Sequence, residues 1–140
     1  MKPWILHAFA AMLFAGVTAV IAKQGMVGIS AELGITVRTV FVFFFIMVFV
    51  AFVVPLSEIK QLHQENLLWL ALSALTTTIS WIYYYKALKA GDVATVALID
   101  KGSVLVAIIL AWVFLKEVLT LRIVIGAAMI VAGLIVISRK

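Results

Sequence analysis

Hydrophobic positions in this chain gather into five long runs, separated by short polar breaks. The runs occupy residues 3–22, 36–56, 66–85, 92–115 and 120–138. A membrane-spanning helix needs about 20 mostly apolar residues, each adding about 1.5 Å of rise. Every run meets that length. The pattern therefore predicts an all-α integral membrane protein, a five-transmembrane-helix bundle in a single domain covering residues 1–140.

The breaks fit this division. Residues 23–34 contain Lys23, Gln24 and the helix-breaking Gly25, Gly28 and Gly34. The second break, residues 57–65, follows Pro55 and is the most hydrophilic stretch of the chain. The third covers residues 86–91, where Gly91 supplies a stop and Asp92 an N-cap for the fourth span. Residues 116–119 form the fourth, and Thr120 is the expected N-cap of the fifth span. No break is long enough to hold a separate soluble domain. The motif Ala8-Phe9-Ala10 resembles a signal-cleavage site, but it comes before the first apolar run is complete. An uncleaved first helix is expected.

Composition adds weight to the membrane assignment. Hydrophobic residues make up 66% of the 140 and charged residues 12%, against roughly 45–50% and 25% in soluble domains. Too few polar residues remain to clothe a soluble exterior. The net charge of +5 comes from basic residues near span ends, where they suit headgroups rather than nucleic acid. With no cysteine, disulfides and thiolate chemistry are excluded.

Charge also bears on orientation. Lys2, Lys60, Lys116 and Arg122 fall on one side of the membrane, and Lys23, Arg38, Lys86, Lys89, Arg139 and Lys140 on the other. Four against six is a weak positive-inside bias: either the C-terminus is cytoplasmic by a small margin or the chain inserts both ways.

The run Tyr83-Tyr84-Tyr85-Lys86-Ala87-Leu88-Lys89-Ala90-Gly91-Asp92 is similar to the third-span exit of the EamA family, part of the drug/metabolite transporter superfamily. Leu115-Lys116-Glu117 follows at the end of span four. The segment Gly126-Ala127-Ala128-Met129-Ile130-Val131-Ala132-Gly133 matches the family's glycine pattern in span five. Arg38 stands where an arginine often opens the second span. Most members have ten spans in two repeats, so this chain resembles a single-repeat, five-span member. The resemblance implies a small-molecule or metabolite transporter in the cell (inner) membrane, with no cofactor. The small multidrug exporters of the superfamily carry a glutamate in the first span, whereas span one here has no acid. Their proton-coupled cation exchange is not expected unless Asp100 takes that role.

Several residues are candidates for a substrate or proton pathway. Asp100 and Lys101 interrupt span four about a third of the way along, where a charge costs at least about 2.5–3.5 kcal/mol on insertion scales. Asp100 suits either a cavity that binds a proton or an amine, or a structural pair with a basic group on another helix. On a continuous helix the two side chains point about 100° apart. Ser73, Thr77, Ser80 and Tyr84 share one face of span three, with Trp81 alongside. Their hydroxyls suit either a pathway or bonds to a helix backbone. Arg38, followed by Phe41, Phe43, Phe44 and Phe45, suits a gate or a substrate contact. The other cations, Lys23, Lys86 and Lys89, are expected to reach headgroups. Alanines 8, 11, 15, 19 and 22 form a packing face on span one.

His7 and His63 lack a second ligand at metal spacing, and no nucleophile–base pair, phosphate loop or carboxylate pair occurs. An enzyme and a metal site are therefore not expected. The leading expectation is a transporter working by alternating access. Because an odd span count makes consecutive repeats insert in opposite senses, a lone repeat recovers inverted symmetry by pairing as an antiparallel homodimer. The competing expectation is a non-transporting membrane subunit or assembly partner of a larger membrane complex.

Overall fold

The computed structural model describes residues 2–138. Among the described residues seven helices follow in order: α1 Pro3–Gly25, α2 Ala31–Val53, α3 Leu56–Ile59, α4 Gln64–Ala90, α5 Val93–Asp100, α6 Ser103–Phe114 and α7 Leu121–Ser138. No strand occurs among the described residues. With α5 and α6 forming one segment, Val93–Phe114, five helices among the described residues are long and apolar enough to cross a membrane. Arg139 and Lys140, which weigh in the charge balance, lie outside the described residues.

Local chemistry sets the helix starts. Ser30 caps α2 by accepting the Leu33 N–H at 3.2 Å, and Glu32 places a negative charge in its first turn. The His63 N–H donates to Asn66 Oδ1 at the start of α4. Asp92 caps α5 through the Thr95 N–H at 2.9 Å, and Thr120 accepts the Ile123 N–H at 3.4 Å before α7. Both of the caps expected from sequence are present. α2 stops at Val53 because the residue before a proline, here Val54 before Pro55, is driven out of helical geometry.

Span two begins at Ala31, not at residue 36. Gly34 does not break the helix. A Cβ there would lie 2.8 Å from Met26 Cγ, so this glycine gives Met26 room to pack. Gly28, at φ +78°, makes the turn.

The chain falls into two compact units: Val20–Ala90, and the sequence before and after it. In the first, α2 and α4 pack antiparallel, with Met26, Ala31, Ile35, Tyr85 and Leu88 buried. In the second, α5 packs on α7. Gly102 lies there against Leu134, where a Cβ would come within 3.1 Å of Leu134 Cδ1 and 3.0 Å of the Ile99 carbonyl. Elsewhere long apolar side chains such as Phe14, Phe43, Phe52, Trp69 and Phe114 are exposed, as lipid-facing residues are.

Candidate functional site

The charged and aromatic residues of unit Val20–Ala90 meet where α2 begins and α4 ends. Glu32 and Lys86 form an ion pair at 3.3 Å. Arg38 follows Ala31 by seven residues, about 10 Å along the helix. Its guanidinium lies over the Trp81 ring, 4.3 Å from the centroid, with Tyr85 5.9 Å away. Trp81 is rooted one turn further from the end of α4 than Tyr85. Arg38 Nη1 is buried without a hydrogen-bond acceptor.

Lys23 and Lys89 complete this end of the unit. Lys23 Nζ donates to the carbonyls of Leu88 and Lys89 in the last turn of α4. Lys89 Nζ donates in return to the Met26 carbonyl, 2.7 Å away, just past the end of α1. Each lysine caps the other helix's C-terminus, where carbonyls lack intrahelical partners and the helix dipole favours a cation. The expectation that Lys23, Lys86 and Lys89 reach headgroups is therefore corrected: all three are held by protein groups.

Beside this cluster a groove of about 600 Å³ runs between α2 and α4. Thr36, Thr39, Val40, Phe43, Thr78 and Ile82 line it, and Glu32 and Lys86 close one end. The hydroxyls of Thr36, Thr39 and Thr78 donate to carbonyls of their own helices, so the walls present methyl groups.

The expected hydroxyl stripe behaves differently from its neighbours. Thr76 donates to the Ser73 carbonyl and Thr78 to that of Ala74. Among the described residues the hydroxyls of Ser73, Thr77 and Ser80 make no hydrogen bond within the chain. Trp81 and Tyr84 are half-buried. Tyr85, not singled out from sequence, is the buried tyrosine beside Arg38; its position four residues after Trp81, on the same helical face, was the available signal.

Asp100 and Lys101 belong to the other unit, at an interruption of span four. α5 ends at Asp100 and α6 starts at Ser103. Between them the Gly102 N–H bonds to the Ile99 carbonyl and the Val104 N–H to that of Lys101, i to i+3 contacts that tighten the turn. Lys101 Nζ reaches Asp100 Oδ2 at 3.4 Å, and both side chains are partly exposed. The pair expected to diverge on a continuous helix instead closes on itself, because the helix is tightened there.

The profile of the EamA-like transporter family matches residues 2–139. The chain belongs to the EamA-like transporter family. A Sinorhizobium sp protein named "Uncharacterized transporter in cobO 3'region" is 36% identical over 137 residues, covering 98% of this chain and 97% of the relative. No solved structure matches. EamA-like membership, together with five membrane-capable helices, makes this a multi-pass membrane transporter with a small-molecule substrate. In EamA-like terms, the described chain holds one repeat of the bundle.

Proposed function

We propose that this EamA-like chain moves a small metabolite across the cell (inner) membrane by alternating access, working as an antiparallel homodimer. The observation that carries the reading is the hydroxyl stripe of α4. Ser73, Thr77 and Ser80 leave their hydrogen-bonding capacity open, whereas adjacent Thr76 and Thr78 spend theirs on the helix. A hydroxyl both donates and accepts, and one left unsatisfied in a spanning helix is stabilised by water or a polar solute. Asp100 and Lys101, at an interrupted span, supply a second polar position of the kind transporters place in discontinuous helices. The dimer is supported by the odd span count and the weak charge bias.

The test is uptake of a metabolite panel into liposomes. The triple change of Ser73, Thr77 and Ser80 to alanine should abolish uptake while leaving detergent melting unchanged, and Thr76→Ala should leave both intact. Wild-type uptake by the triple variant would overturn the pathway. Three added C-terminal lysines should bias insertion and reduce uptake, and an oppositely biased copy should restore it. Full activity from a single-orientation population rules out the antiparallel dimer.

A further inference from the structure

Arg38 carries a charge that no described residue of the chain neutralises. Among the described residues Lys86 pairs with Glu32 and Lys101 with Asp100, and no carboxylate is paired with Arg38. Glu32, on the same helix, is already engaged by Lys86. An arginine cannot escape by losing its proton, since it stays charged at any accessible pH. A cation within a span normally finds a partner or a polar cavity.

The aromatic neighbours satisfy only one aspect of the guanidinium. Trp81, with its ring 4.3 Å from the guanidinium carbon, offers π density to the flat face of the cation. The N–H donors lie in the guanidinium plane and point outward from its edge, so a ring stacked on the face leaves them unmet. Nη1, buried and without an acceptor, is the direct record of this. What the edge lacks is a planar pair of oxygen acceptors, which a carboxylate supplies through two parallel hydrogen bonds.

The surroundings restrict what can carry that carboxylate. Tyr85 lies 5.9 Å from the cation. Phe41 and Phe45 follow three and seven residues after Arg38, on the same side of α2, with their rings stacked at 6.2 Å. An aromatic wall favours an apolar, planar body and disfavours a strongly hydrated ion.

We propose that Arg38 is the binding group for the carboxylate of a small organic acid whose apolar body rests against Trp81 and Tyr85. This rests on the transport reading above and narrows it to one substrate class.

The test separates binding from transport. Protein purified in neutral detergent without added lipid is titrated calorimetrically with indole-3-acetate and with uncharged indole-3-acetamide. The acetate should bind about 10- to 100-fold more tightly than the amide, as expected when a charged hydrogen-bonded pair is lost. Arg38→Gln should reduce acetate affinity to that of the amide. Arg38→Lys, which keeps the charge but loses the fork, should fall between them. Trp81→Leu should weaken acetate and amide alike. If Arg38→Gln does not fold, the acetate-to-amide ratio in wild type and the Arg38→Lys value decide the matter.

Equal binding of acetate and amide, or undiminished acetate affinity in folded Arg38→Gln, would overturn the assignment. So would tight binding of inorganic phosphate, or of phosphatidylglycerol vesicles, without binding of the acetate, because the site would then serve a phosphate. Uptake is measured separately on the same preparations. Arg38-dependent acetate binding without any uptake supports this site and removes the transport reading. Uptake of another solute without acetate binding keeps transport and removes this site.

Discussion

Cutting the reciprocal lysine caps should loosen unit Val20–Ala90 in a measurable and non-additive way. Lys23→Met keeps the apolar stem but removes two charge-assisted hydrogen bonds, to the Leu88 and Lys89 carbonyls. Lys89→Met removes one, to the Met26 carbonyl. Hydrogen bonds to charged groups contribute about 1.5–3 kcal/mol each when well buried, and a cation at a helix C-terminus adds about 0.3–1 kcal/mol. The Leu88 and Met26 bonds are part-buried and the Lys89 bond is exposed, so the lower values apply. With about 1.5 kcal/mol for the one part-buried bond of each lysine, about 0.3 kcal/mol for the dipole and little from the exposed bond, Lys23→Met and Lys89→Met should each cost about 2 kcal/mol. Because both lysines fasten the same two helix ends, the second cut should cost less once the first is made. The double variant should fall short of the sum by about 0.5–1 kcal/mol. Reversible unfolding in mixed micelles, titrated with a denaturing detergent and followed by tryptophan fluorescence, measures all three. Single variants within about 0.3 kcal/mol of wild type, or strict additivity, would refute the capping account.

Three further outcomes follow from backbone geometry. Lys116 has φ +54° just past the end of α6, where the Glu117 N–H returns to the Ala111 carbonyl, so Lys116→Gly should raise stability by about 1 kcal/mol in the same unfolding assay. Gly102→Ala should destabilise by about 1–3 kcal/mol despite alanine's better helix propensity, and Leu134→Ala should recover only part of the loss, because the Ile99 carbonyl cannot move aside. Gly34→Ala should cost about 1 kcal/mol through Met26, and most of that penalty should vanish when measured in a Met26→Ala background.

What could be read from sequence was set by length and local chemistry. Long apolar runs reveal spans because lipid demands them, and Asp92 and Thr120 act within three residues of where they stand. The start of span two was hidden because Gly28 and Gly34 look alike in sequence. Only the conformation of one and the neighbour of the other separate a turn from a packing position. Asp100 and Lys101 marked an unusual place, but their mutual pairing depends on local tightening that a continuous-helix picture excludes. The partners of Lys23 and Lys89 lie more than sixty residues away in sequence, and no periodicity connects them. Arg38 stood out as a candidate gate or substrate contact, yet the stacked Trp81 ring and the unmet Nη1 come from the packing of α4, which the sequence of α2 does not contain.

The buried side chains of α2 and α4 have a mechanical consequence. On α2 they are Ala31 and Ile35, and on α4 Tyr85 and Leu88, all at one end of the pair. The remaining length of α2 toward Val53 has no fully buried residue. The two helices are thus joined like the arms of a peg, fixed near one tip and unfastened at the other. Val53 lies about 27 Å along the axis from Ile35, so a tilt of about 10° at Ile35 swings the far end by about 5 Å. Such a lever turns a small shift in packing near Arg38 into a displacement at the opposite end larger than the thickness of an aromatic ring.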